Sequence, residues 1–305
     1  MIALKIDKPY LGLFISIASV SSAAVIIKTI SFHGQFPLTV AFYRLLFTTL
    51  LVLPFVIFRK KIRDDLLNIS KKSFLIMFII GLILAAHFAF WITSLGKTSV
   101  ASSVILVTAH PLLVGPVSHY LLKERLSKAN TIGIIISVIG VIILVYGNNS
   151  HAFGTIDTLE GNILAILGGI AAGLYILGGR IVRKTVSVWS YAIVVYSITT
   201  VILFILCISS NSPVYGFSLR DYTLIFIMAI FAGILGHTLY NWSLEYVRAS
   251  IASVVLLGEP IGSSILAFLL PWISQIPSAY TILGGAIILF GIYLTARKTN
   301  IIYFS

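Results

Sequence analysis

Charge is what this chain has least of. Its 305 residues are 10% charged and 59% hydrophobic, whereas a soluble globular domain is about 25% charged. That deficit excludes an ordinary water-soluble enzyme. Cysteine is nearly absent too. The one thiol, Cys207, lies inside an apolar run, so no intramolecular disulfide can form and the residue reads as a small buried apolar group. No Gly-x-x-x-x-Gly-Lys-Ser/Thr loop is present, so the chain itself hydrolyses no ATP. Pairs of histidines at helical metal-ligand spacing are missing, and neither a metal nor another cofactor is expected. There is no low-complexity linker. Lys5 and Lys8 precede a first apolar run too long for the core of a cleavable signal, which makes that run an uncleaved span.

What the chain has in abundance is long apolar stretches. Ten of them fall near 10–30, 37–58, 73–95, 99–122, 129–146, 162–179, 187–208, 222–244, 250–270 and 278–296. A bilayer core needs roughly 20 apolar residues per helical span. The reading is an all-α membrane protein of ten transmembrane helices with the lipid bilayer as solvent.

The net charge of +12 could suggest a nucleic-acid partner, but the placement of the charges argues otherwise. Seventeen of the 21 basic residues fall in breaks on one side of the ten-span scheme; Lys28, Lys97 and Arg220 fall on the other, and Arg44 lies inside the second span. Short loops rich in Lys and Arg stay cytoplasmic. Both termini are therefore expected inside, in a cell-membrane protein that has no nucleic-acid partner.

The two halves resemble each other. Gly96–Pro111, GKTSVASSVILVTAHP, aligns without gaps with Glu245–Pro260, EYVRASIASVVLLGEP, at an offset of 149, and Gly133 and Gly140 match Gly284 and Gly291 at an offset of 151. Glycines seven apart share a helix face and let helices approach closely in lipid. The expected units are residues 10–146 and 160–297, five spans each. An odd span count inverts the second copy relative to the first, the architecture of secondary transporters with a site near the midplane at the repeat interface.

These features resemble the EamA-like branch of the drug/metabolite transporter superfamily. The residues that carry the likeness are Pro37–Leu46 (PLTVAFYRLL) with its Arg44, Ser94–Ser103 followed by Pro111, Lys123-Glu124-Arg125-Leu126-Ser127 after the fourth span, and Gly258-Glu259-Pro260 in the second half. The resemblance runs over essentially the whole chain. It implies ten helices and transport of a small-molecule substrate, an amino acid or related solute, in the outward direction. The halves have diverged. His110-Pro111 stands where the second half has Glu259-Pro260, and the second half lacks the Glu-Arg pair, reading Leu270-Pro271-Trp272-Ile273.

Ionisable side chains inside a bilayer are costly and face the bundle interior or a cavity. Glu259 falls near mid-depth, where it could exchange a proton or meet a substrate amine, or else satisfy the break made by Pro260, which cannot donate to the carbonyl of Leu256. His110 and Pro111 present the same alternatives against Val107. His87 with Trp91, and His237 with Asn241, each lie four residues apart on one helix face, so these two related faces could line a central cavity or bond between helices. Arg44 could hold a substrate carboxylate bidentately, or pair with Glu259 or a helix-end carbonyl. Phe90, Trp91, Tyr240 and Trp242 stand beside these polar faces. Glu124-Arg125 reads as a cytoplasmic salt bridge, a gate element or a solvated loop. Gly168, Gly169 and Gly173, then Gly178 and Gly179, suit close packing of the sixth span.

The leading expectation is thus a secondary active or facilitative carrier working by alternating access, with protons as the candidate coupling ion. Two alternatives are an uptake carrier for a nucleotide-like metabolite and a polytopic membrane enzyme. The enzyme would need clustered acids or histidines at one interface, where the outer loops hold Asp157, Glu160 and Asp221 alone.

Overall fold

The computed structural model describes residues 8–32, 35–98, 103, 106–149, 159–269 and 279–296. Every regular element among them is helical. In chain order these are α1 (Lys8–Val20), α2 (Ser22–Thr29), α3 (Pro37–Phe58), α4 (Lys60–Leu67), α5 (Lys71–Ser94), α6 (Pro111–Leu121), α7 (Lys128–Asn149), α8 (Leu159–Val182), α9 (Val188–Ser209), α10 (Leu219–Met228), α11 (Leu239–Ser243), α12 (Ala249–Val255), α13 (Glu259–Leu269) and α14 (Ala279–Ala296). A π-helical segment, Ala229–Thr238, joins α10 to α11, and a 3-10 turn, Leu256–Gly258, joins α12 to α13. Six stretches are long and apolar enough to cross a bilayer: Lys8–Ile27, Pro37–Phe58, Lys71–Ser94, Leu159–Val182, Val188–Ser209 and Leu219–Ser243. The protein is a multi-pass membrane protein, and its outer surface suits lipid: Phe14 is 68% and Ile282 68% exposed.

Local sequence explains where several helices start. Serine opens α5, α9 and α10, with Ser70, Ser187 and Ser218 each accepting a hydrogen bond from the backbone N–H three residues on. Such a cap satisfies one of the donors left over at a helix N-terminus. Pro37 and Pro111 each occupy the first turn of their helices, where the missing N–H costs nothing. One element falls where the sequence suggested only a loop. The short α4, KKIRDDLL, is mostly polar and rests on Ile62, which is buried, and on a 2.6 Å hydrogen bond from Ser190 Oγ to Asp65.

Glycine decides how the helices meet. A Cβ on Gly133 would lie 2.6 Å from the carbonyl oxygen of Gly291, and one on Gly140 would lie 2.9 Å from that of Gly284. The glycines paired by the sequence repeat therefore meet crosswise in space, first with last and second with third, along the α7–α14 seam. Asn130 Nδ2 closes one end of that seam on the carbonyl of Thr295, at 2.5 Å. In a second pair of helices Thr49 of α3 and Thr200 of α9, 151 residues apart, share a hydrogen bond of 3.2 Å. The glycines of α8 act likewise, Gly168 lying against the backbone of Trp91 and Gly169 against the carbonyl of Val107. Leu270–Ile273 and Asp157 lie outside the described residues, as does the side chain of Lys28.

Candidate functional site

Two polar regions emerge from this packing, one central and one at an end of the bundle. The central one surrounds Arg44. Pro37 starts α3, and Arg44 follows two turns in, facing α5 and α9. The side chain is 2% exposed. Its guanidinium carbon sits 4.6 Å above the centroid of the Phe88 ring, a cation–π arrangement. Nη1 is buried with no hydrogen-bond partner among the described residues. A small cavity of about 10 Å³, room for about one water molecule, opens beside it and is walled by Arg44, Thr48, Leu84, Phe88, Tyr196 and His237.

The π segment shapes one wall. Its wider turn is marked by Thr238 Oγ1 donating to the carbonyl five residues back, Gly233, at 3.1 Å, and Thr238 also shares a 3.1 Å hydrogen bond with Tyr196 Oη. π turns inside α-helices recur at functional sites. Gly233 is needed for the fit, since a Cβ there would lie 2.3 Å from Thr48 Oγ1.

Of the residues singled out in the sequence, Arg44 and His237 line this cavity. His237 also packs edgewise near Phe88 and Tyr175, with centroids 5.5 and 6.1 Å away. His87 faces α8 instead: its Nδ1 donates to the carbonyl of Gly168 at 2.9 Å, and its ring stacks on Trp91 at 5.9 Å. That bond fixes the tautomer and leaves Nε2 as the acceptor. Asn241 is fully buried and donates to Tyr175 Oη at 2.5 Å and to the carbonyl of His237 at 2.7 Å. Trp91 Nε1, His110 Nδ1 and Tyr240 Oη are buried without hydrogen-bond partners among the described residues.

His110 lies in the turn before α6, with Pro111 as that helix's first residue. Glu259 opens α13 with Pro260 after it, directly beyond the 3-10 turn. Its backbone carbonyl accepts a hydrogen bond from Ser21 Oγ at 3.2 Å, at the junction of α1 and α2. Arg44 and Glu259 form no ion pair among the described residues. Phe88, Thr48 and Tyr196 complete the cavity. Phe88 was not singled out in the sequence because nothing in its neighbourhood distinguishes it from Phe90. Its position became informative only once α3 was placed against α5.

The second polar region lies at the end of α8. Arg180 Nε donates to Glu124 Oε1 at 2.6 Å, with both side chains buried. Arg180 Nη1 also holds the carbonyls of Leu244 and Glu245 at 2.7 Å. The other oxygen of Glu124 accepts from the backbone N–H of Ala249 at 2.9 Å. A carboxylate from the loop after α6 thereby caps the start of α12, where the helix dipole favours negative charge. Arg183 pairs with Glu245 and donates to the carbonyl of Asn241 at 3.0 Å. Burial lowers the Arg183 pKa, and the Glu245 carboxylate opposes that shift. Burial and then the charge of Arg180 lower the Lys184 pKa. Glu124 is thus neither a solvated loop residue nor the partner of Arg125. Arg125 is exposed and offers its carbonyl to Arg248 at 3.1 Å.

The opposite end of α8 is held more loosely. Glu160 pairs with Lys97 at 2.6 Å, both exposed, and Thr98 donates to Asn162 at 2.7 Å. Asp221 is 2% exposed and accepts from the N–H and hydroxyl of Ser31 at 2.9 and 2.7 Å and from Ser218 at 2.7 Å. Of the outer-loop acids, Glu160 and Asp221 are accordingly engaged in structural bonds, and among the described residues no three His, Cys, Asp or Glu side chains gather as metal ligands do.

The profile of the EamA-like transporter family matches the chain twice, over residues 8–146 and 159–297. Among curated proteins, the uncharacterized transporter YyaM of Bacillus subtilis (strain 168) is 23% identical over 265 residues, covering 85% of this chain and 84% of that protein. The uncharacterized transporter YdfC of the same organism is 24% identical over 278 residues, covering 88% and 84%. An uncharacterized transporter of Archaeoglobus fulgidus is 26% identical over 220 residues, covering 67% and 71%. A solved crystal structure superposes with a TM-score of 0.77 at 17% identity, over 95% of this chain and 96% of the other, a likeness of fold.

Proposed function

Because the chain belongs to the EamA-like transporter family, we propose that it is a secondary active or facilitative carrier that exports a small metabolite, an amino acid or related solute, by alternating access. In this reading the chain has ten spans in two inverted halves, residues 10–146 and 160–297, with both termini in the cytoplasm and the substrate site at the interface of the halves. The observation that carries this reading is the central cavity, because its wall is drawn from both halves: Arg44 and Phe88 from one, Tyr196 and His237 from the other. Carriers built from inverted repeats bind at such an interface near the midplane.

Two further observations support it. The crosswise meeting of Gly133 with Gly291 and of Gly140 with Gly284 is the contact pattern a two-fold axis produces, residue i against j and j against i. The two ends of α8 are also tied to their neighbours, by the Glu124–Arg180 network at one end and by the Lys97–Glu160 and Thr98–Asn162 contacts at the other. In this reading the first set is the cytoplasmic closure and the second the outer one, and opening at either end yields the two access states. Glu259 is the candidate proton-coupling group, and His110, His87, Trp91, Asn241 and Tyr240 surround the path, with Pro111 and Pro260 supplying the helix breaks.

The test is untargeted metabolite profiling of cells and medium expressing wild type or Glu259→Gln at matched levels, followed by counterflow in liposomes. A metabolite shifted by wild type, with saturable flux accelerated by unlabelled substrate on the far side, supports a carrier. Equal shifts by both proteins would remove Glu259 from the coupling role. If purified protein shows no saturable flux of any component of the cell extract, the carrier reading fails.

A further inference from the structure

We infer, on the basis of the carrier reading, that the cargo is a small organic anion whose carboxylate docks on Arg44. The argument begins with the guanidinium. It stays protonated in any protein setting, yet among the described residues it makes no hydrogen bond and no ion pair, and Nη1 is buried outright. A buried cation left without an acceptor is among the costlier arrangements in a protein, and in the bundle of a membrane protein it marks a site. Phe88 covers one face of the guanidinium plane. Stacking of that kind leaves the N–H edge free, and the edge is the part of arginine that matches a carboxylate in two parallel bonds.

The remaining polar groups of the wall narrow the choice. Thr48 Oγ1 donates to the carbonyl of Arg44 at 2.7 Å, and Tyr196 is engaged with Thr238. The ring nitrogens of His237 make no hydrogen bond among the described residues, so His237 is the other open polar group. Among the described residues no carboxylate lines the cavity. Glu259 stands outside the wall and, among the described residues, outside ion-pair contact with Arg44. An ammonium group in this cavity would find a fixed cation and no acidic partner. An anion finds the reverse. Because the space beside Arg44 holds about one water molecule, the anion enters as the cavity widens in an access state, with Leu84 and Phe88 of the wall against its apolar portion. The chemistry therefore selects a carboxylate over an amine and, within the class of amino acids and related solutes proposed above, a related carboxylate without a free amine over the amino acid itself.

The experiment compares matched probes on purified full-length protein in nanodiscs, read by thermal unfolding. The probes are 3-phenylpropionate, 3-phenylpropylamine and phenylalanine, together with propionate, propylamine and alanine. The expected result is a saturable rise in melting temperature with a carboxylate, and none with the matching amine. The zwitterion should bind at least about tenfold more weakly. Arg44→Lys should keep a weakened response, since it retains charge without the planar fork, and Arg44→Gln should lose it. Stabilisation by amines or zwitterions equal to that by carboxylates would overturn the inference, as would an unaltered response in Arg44→Gln or no response to any carboxylate. Should Arg44→Gln fail to fold, the wild-type comparison of carboxylate with amine still decides. Counterflow in liposomes separates this inference from the carrier reading. Flux that is equal in wild type and Arg44→Gln keeps the carrier and removes the anion site. Carboxylate binding that depends on Arg44 without any flux keeps the anion site and removes the carrier.

Discussion

Arg180 and Glu124 form an ion pair of 2.6 Å in which the two side chains are 1% and 5% exposed. Each charge is spent completely. The arginine also holds two backbone carbonyls at the Leu244–Glu245 corner, and the glutamate caps α12 through Ala249. Removing one partner of a buried pair leaves the other charge stranded, at a cost of about 3–5 kcal/mol. Glu124→Ala is accordingly expected to lower the unfolding temperature strongly, and the double variant Glu124→Leu/Arg180→Met to recover part of the loss. Melting curves of the purified proteins check this. An unchanged melting temperature for Glu124→Ala would show that the pair contributes nothing.

Lys97 and Glu160 have the same N···O distance and the opposite prospect. Their side chains are 41% and 65% exposed, and pairs in such surroundings contribute about 0–1 kcal/mol. Glu160→Gln should therefore leave the melting temperature almost unaltered. Its effect belongs to the conformational equilibrium instead. On the proposed topology, loosening this outer contact while the Glu124–Arg180 network is intact should favour the outward-open form. In liposomes this would appear as a faster exchange of labelled substrate with little change in thermal stability. A loss of stability as large as that of Glu124→Ala would contradict the contrast drawn from burial.

The seam between α7 and α14 gives a prediction with an internal control. A Cβ at Gly133 would meet the carbonyl oxygen of Gly291 at 2.6 Å and backbone nitrogen of Thr295 at 2.8 Å, neither of which can swing aside. Gly285 is on the same helix as Gly291, and its nearest neighbour would be Ile261 at 3.7 Å. Gly133→Ala should force the helices apart and destabilise by about 1–3 kcal/mol, the usual range for overpacking. Gly285→Ala should be neutral or stabilising by up to about 1 kcal/mol, the helix-propensity gain. Parallel melting curves read both. If Gly285→Ala proves the more damaging of the two, this account of the seam is wrong.

Long apolar runs, the glycine pairs and the isolated charge of Arg44 were legible from sequence because each follows from one rule of bilayer solvation. The features that were not legible depend on which elements become neighbours. Arg180 and Arg183 looked like two more basic residues of a cytoplasmic break. They are buried only because the corner at Leu244–Glu245 and the loop carrying Glu124 converge on them. The π segment AIFAGILGHT has an ordinary helical composition, and the close approach of Thr48 to Gly233 beside it shows only once the helices are packed. In α4, two adjacent acids among basic residues masked a helix that its contact between Asp65 and Ser190 holds in place.

The topology has its own test, and the chain provides a clean background for it. Cys207 is its only cysteine and is fully buried, so a membrane-impermeant maleimide should leave the wild type unlabelled in intact cells. Tyr215, between α9 and α10, is 81% exposed, and Leu67, at the end of α4, is 83% exposed. Neither side chain bears on the packing just described, so cysteine is tolerable at both positions. With basic loops held inside, Tyr215→Cys should label in intact cells and Leu67→Cys only after the membrane is permeabilised. The reverse pattern would invert the protein in the bilayer and exchange the inner and outer closures assigned to Glu124–Arg180 and Lys97–Glu160. Labelling of both in intact cells would mean an odd number of spans between residues 67 and 215 is replaced by an even one, and the inverted arrangement of the halves would fall with it.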